Sequence, residues 1–154
     1  MNANDKKLLA QLASHPGEFI GRLKIVDEKG QERSFNTPFA EQVMALQDFC
    51  SEAETVIHYK PRQIGDTTVA TAYNFNYLYW IQDPARCLVV ADSYDSTDAI
   101  FGRVRHYYRS LPEMLKKPIE RSNKRELIFK DSMAGFRCMT AGGKSDARGW
   151  TYQR

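Results

Sequence analysis

Apolar residues recur along this chain in two rhythms, a helical one of about three to four residues and a strand-like one of two. Leu8, Leu9 and Leu12 carry the helical rhythm through residues 5–14, which stops at His15-Pro16-Gly17. Phe19 to Val26 and Gln31 to Phe35, joined by the turn residues Asp27-Glu28-Lys29-Gly30, predict a β-hairpin. Asn36-Thr37-Pro38 opens a helix running to about Ser51. There Thr37 suits the N-cap, Pro38 the first turn, and Glu41 lies near the capping-box position. The predicted buried face of that helix is Phe39, Val43, Leu46, Phe49 and Cys50.

The β-branched and aromatic run Thr55-Val56-Ile57-His58-Tyr59 predicts a strand, followed by a loop and a helix from Thr67 to about Ile81. Asp83-Pro84 breaks the chain, and Arg86 to Ala91 is a nearly continuous apolar strand, suited to the middle of a parallel sheet. A further helix spans about Ser96 to Ser110. Glu126 to Lys130 and Ala134 to Thr140 are strands joined by a turn at Asp131-Ser132-Met133. The Gly-rich polar segment from Ala141 to Gly149 predicts a loop. Alternation of strand and helix implies an α/β fold, a parallel sheet flanked by helices, preceded by an N-terminal helix and hairpin over residues 1–36.

Composition narrows the class only slightly. With 154 residues, 42% of them hydrophobic and 27% charged, the chain suits one globular domain. No apolar run approaches the roughly 20 residues of a membrane span, and the N-terminus carries no secretory pattern. Cys50, Cys87 and Cys138 sit apart inside apolar patterns and are expected as core residues. His15, His58 and His106 are equally scattered, so no metal-ligand spacing exists. Tyr73, Tyr77, Tyr79 and Trp80 read as core and interface aromatics, and Asp92-Ser93 as either a ligand site at a strand end or a helix N-cap.

Net charge is only +3, yet its distribution is uneven. Arg103, Arg105, Arg109, Lys116, Lys117, Arg121, Lys124 and Arg125 crowd one stretch. Such a cluster is either a solvated face or a contact for a polyanion, with Arg103, Arg105 and Arg109 the candidate DNA contacts.

The strongest chemical signal is the strand-to-helix turn Lys60-Pro61-Arg62-Gln63-Ile64-Gly65-Asp66-Thr67-Thr68. A phosphate loop of the form G-x-x-x-x-G-K-[ST] wraps phosphates in backbone N–H groups, neutralises them with lysine and places a hydroxyl on Mg2+. Here Gly65 and Thr67 keep their positions, while Lys60 replaces the first glycine and Asp66 the usual lysine. By geometry alone two readings stand: a nucleotide loop whose cation comes from Lys60 and Arg62, with Asp66 turned to solvent or paired with a neighbouring arginine, or a strand-to-helix turn with a surface Lys and Arg and no ligand.

This turn resembles the variant Walker A loop of phage terminase large subunits, the motors of viral DNA packaging, some of which carry the lysine at the loop's first position. Phe39-Ala40-Glu41-Gln42 resembles the family's segment ahead of the first core strand, which makes Gln42 a candidate adenine reader. Tyr107 to Pro112, and Ala147-Arg148-Gly149-Trp150-Thr151, resemble later passages of the same family. The resemblance spans roughly residues 35–154. It implies a partial P-loop ATPase domain over 37–154, binding ATP and Mg2+ through Lys60 to Thr68, with Thr67 on the metal and Arg148-Gly149 as a coupling loop. It further implies double-stranded DNA, a small terminase subunit and a portal protein as partners. A homo-oligomeric motor would act in host cytoplasm at the procapsid.

The family's Walker B strand, apolar residues followed by Asp-Glu, has no counterpart in these residues, so the ATPase site is expected to be incomplete in this chain. The rival readings are a helicase-like nucleic-acid ATPase and a non-catalytic remnant that binds nucleotide or DNA weakly.

Overall fold

The computed structural model describes residues 3–27, 29–36, 38–59 and 65–142. In chain order they form α1 (Ala3–Ser14), α2 (Pro16–Arg22), β1 (Lys24–Val26), β2 (Glu32–Ser34), α3 (Ala40–Phe49), α4 (Asp66–Trp80) and β3 (Arg86–Ala91). Then follow α5 (Tyr94–Ser110), a 3-10 turn at Glu113–Leu115, β4 (Ile119–Ser122), β5 (Glu126–Phe129) and β6 (Gly135–Thr140).

The chain is mixed α/β, and its main sheet is mixed rather than parallel. Its strand order is β3-β6-β5-β4. Only β3 and β6 run parallel, with Cys87 opposite Phe136 and Val89 opposite Cys138. The β5–β6 and β4–β5 pairs are antiparallel. The predicted hairpin from Glu126 to Thr140 accounts for this, because a tight turn can join only antiparallel strands. That turn holds Met133 at φ 56°, a left-handed conformation.

Two strand expectations are corrected. Arg86 to Ala91 forms its strand but lies at the sheet edge, with Val90 exposed. An apolar run reports burial by helices as readily as burial between strands, and α4 and α5 supply that cover here. Thr55 to Tyr59 pairs with no strand among the described residues and carries no regular structure; Val56 and His58 are partly buried while Ile57 and Tyr59 are almost wholly exposed. Alternation fixes side-chain direction, but a strand also needs a neighbour to complete its ladder.

At the N-terminal end, Pro16 opens the helix α2, so the two-stranded hairpin is shorter than its sequence suggests. Proline suits a first helical turn, where its missing N–H costs nothing. Phe19 on α2 packs against Tyr79 and Trp80 of α4 at ring separations of 4.9 and 5.3 Å. Phe75, Tyr107 and Phe129 extend that cluster toward α5 and the sheet. Each such aromatic pair contributes about 0.5–1.5 kcal/mol beyond its buried area. The N-terminal elements and α4 thus share one core.

The predicted inner face of α3 is also revised. Gln42 and Ala45 are its buried residues, whereas Phe39, Val43 and Cys50 are exposed. Cys138 is buried and Cys87 half-buried, as expected of small apolar side chains. Among the described residues, no helix is long and apolar enough to cross a membrane.

Candidate functional site

Gly65 and α4 organise the site. Gly65 is the N-cap of α4 and adopts φ 78°, which favours a residue without Cβ. Its carbonyl accepts from Thr68 N at 2.9 Å and Val69 N at 3.1 Å, and as a glycine it offers no side chain to cap the helix. The start of a 15-residue helix presents backbone N–H groups and a positive dipole end, both suited to an anion.

Gln42 lies directly beneath this turn. Its Oε1 accepts from Phe39 N at 3.0 Å, closing a capping interaction at the start of α3. A Cβ added to Gly65 would land on Gln42 Nε2. The two residues are 23 positions apart, yet α3 and α4 pack so closely that the carboxamide occupies the space a side chain would need.

Asp66 departs from its expected partner. Its Oδ1 accepts from His58 Nδ1 at 2.8 Å, and both side chains are mostly buried. The carboxylate can only accept, so the proton belongs on Nδ1. His58 Nε2 lies 3.4 Å from Asp48 Oδ2 and makes no hydrogen bond among the described residues. The imidazole packs on Phe49, which also stacks on Tyr73. In the sequence His58 is one of three scattered histidines, and its one signal is a position eight residues before Asp66.

Gln42, Gly65 and Thr68 line one cleft of about 1010 Å³. One wall is the β1–β2 hairpin, which contributes Lys29 and Arg33, and the other is α5. Arg103, Arg105, His106 and Arg109 line it from α5, so the arginines of the charge cluster share a cleft with Gly65 and Thr68. Tyr107 closes the floor, its hydroxyl donating to Thr68 O at 3.3 Å. Burial pushes the Tyr107 phenol well up, and Arg103 partly opposes that shift. His106 Nε2 lies 3.4 Å from Glu32.

The remaining expected residues are distributed differently. Thr67 is exposed on the first turn of α4, and its carbonyl accepts from Thr71 Oγ1 at 2.6 Å; Thr68 rather than Thr67 enters the cleft wall. Lys60, Pro61, Arg62, Gln63 and Ile64, and likewise Arg148 and Gly149, lie outside the described residues. Ser93 resolves the Asp92-Ser93 alternatives toward capping, because its hydroxyl accepts from Ser96 N at 3.2 Å. Hydrogen bonds, first that from Ser96, hold the Asp92 carboxyl below its usual range. Among the described residues, no group of three or more His, Cys, Asp or Glu converges as a metal site.

The sequence matches no protein-family model and no curated protein.

Proposed function

We propose that this chain is the ATP-binding portion of a viral terminase large subunit, built on a P-loop-type core that powers movement of double-stranded DNA into a procapsid. The observation that carries the reading is the meeting of Gln42, Gly65 and Thr68 in one basic cleft at the start of α4. Residues chosen as nucleotide contacts from distant stretches of sequence thus share a site with the right charge for a triphosphate.

Of the described residues, Gln42, Gly65 and Thr68 line the cleft that the group would occupy. Lys60 and Arg62 would neutralise phosphate from the loop, α4 would offer its N–H groups, and Gln42 would contact the base edge. Thr67, to which the resemblance gives Mg2+, is exposed outside the cleft wall, so the metal contact is the one role that the described residues do not support. Double-stranded DNA, a small terminase subunit, a portal protein and further copies of this chain are the partners of such a motor at the procapsid in host cytoplasm.

One observation favours a second reading, a non-catalytic fragment with weak nucleotide or DNA binding. Thr55 to Tyr59, the run that leads into the loop, pairs with no strand among the described residues. Calorimetric titration of a non-hydrolysable ATP analogue with Mg2+ separates the two. The motor reading expects saturable binding that weakens about ten-fold or more in Lys60→Ala, the loss of one charge-assisted contact. Binding of equal strength in parent and variant would overturn it.

A further inference from the structure

The charge on α5 has a specific geometry. Among its cleft-lining residues are the small Ala99 and Gly102, followed along the helix by the guanidinium-bearing Arg103, Arg105 and Arg109. A Cβ built on Gly102 meets nothing within 4 Å, so the helix leaves room at that point rather than packing. Arg33 approaches from the hairpin wall opposite. Arg33, Arg103 and Arg109 form no ion pair among the described residues, although the arginine Arg121 and the lysine Lys116 elsewhere do. Of the described hairpin acids, Asp27 also lines the cleft, with its Oδ1 accepting from Lys29 N and Gln31 N at 2.9 Å each, and Glu32 lies 3.4 Å from His106.

We infer that Arg33, Arg103 and Arg109 form a polyphosphate clamp, so that these α5 arginines hold the phosphate tail of a nucleotide rather than the DNA backbone. The assignment deepens the nucleotide reading above and rests on it for the source of the polyphosphate. Three arguments favour a compact anion over a duplex. The cations come from two facing walls, whereas a DNA backbone is tracked by a broad exposed stripe. The cleft, at about 1010 Å³, matches the upper range of small-molecule sites. Of the three, Arg103 is half-buried, which limits its reach toward a large partner, while Arg33 and Arg109 are exposed. Guanidinium groups suit the role because each offers paired donors to phosphate oxygens.

The test titrates inorganic tripolyphosphate, a non-hydrolysable ATP analogue and a short DNA duplex separately into four proteins. These are the parent, the Arg103→Ala/Arg109→Ala double variant, Gly102→Phe and Lys60→Ala. Gly102→Phe fills the cleft from a position with open space, and phenylalanine tolerates a helix interior better than glycine, so it should melt no lower than the parent. Tripolyphosphate should bind the parent and lose about ten-fold or more in both α5 variants.

Failure to bind the parent, or unchanged binding in both variants, overturns the clamp. A loss confined to DNA also overturns it and returns the arginines to backbone contact. ATP-analogue binding that falls in Lys60→Ala but survives Gly102→Phe removes the clamp and leaves the nucleotide reading standing. Tripolyphosphate binding that Gly102→Phe abolishes, with no gain from the adenosine moiety, keeps the clamp and removes the nucleotide reading.

Discussion

Substitution of Gly65 by alanine puts two separable strains on one atom. The left-handed backbone at φ 78° costs an L-residue roughly 1–2 kcal/mol. The new methyl would also occupy the position of Gln42 Nε2, forcing the carboxamide to move. Because Gln42 is buried and its Oε1 accepts from Phe39 N at 3.0 Å, that movement breaks the capping interaction of α3. A lost hydrogen bond of this kind contributes about 0.5–1.5 kcal/mol. The expected total is about 2–3 kcal/mol, or a fall of about 5–10 °C in melting temperature for a chain this size. Urea unfolding followed by circular dichroism measures it on Gly65→Ala, Gln42→Ala and the double variant. Removing the carboxamide first leaves only the backbone strain, so the double variant should cost about 1 kcal/mol less than the sum of its parts. Strict additivity, or a Gly65→Ala protein within about 0.5 kcal/mol of the parent, would refute the contact and the strain together.

Further outcomes follow from neighbouring geometry. His58→Ala leaves the mostly buried Asp66 carboxylate without its 2.8 Å donor and should destabilise the fold by about 1–3 kcal/mol; an unchanged urea midpoint would show that water replaces the imidazole freely. Burial pushes the Cys87 and Cys138 thiols from 9.0 to about 12, so the folded state keeps protons the unfolded chain releases. Their contribution is complete below about pH 9 and declines toward pH 12, and a urea midpoint that stays level from pH 8.5 to 11 contradicts this. Exposed Cys50 should react with a thiol reagent well before Cys138, and simultaneous labelling in the native protein would argue against the described packing. With no Asp-Glu run after an apolar strand in these residues, the purified chain should release phosphate from ATP no faster than a motor-dead control. DNA-stimulated turnover abolished by Lys60→Ala would sink that expectation.

Local chemistry made much of this chain legible. The helices α1, α4 and α5 lie close to their predicted spans, because apolar spacing, Pro and Ser signals act within a few residues. The 126–140 hairpin was equally readable, its turn residues and flanking β-formers being adjacent in sequence. Gly65 is legible from its place in the phosphate-loop spacing, and its φ of 78° is a fact of the tertiary structure. Strand partners and side-chain partners depend on contacts across the chain, and those were not legible. The apolar run Arg86–Ala91 declared a strand but not its place at the edge of the described sheet, and the β-branched and aromatic run Thr55 to Tyr59 acquires no strand neighbour among the described residues. The α2 helix was hidden because Phe19 and Ile20 satisfy a strand pattern and a helix pattern alike, and packing against α4 decided between them. The pairing of His58 with Asp66, and the single cleft formed by Gln42, Gly65 and the α5 arginines, arise only when α3, α4, α5 and the hairpin pack together. Periodicity and turn chemistry report short-range sterics, whereas charge partners and cleft walls are settled by which surfaces meet when the core closes.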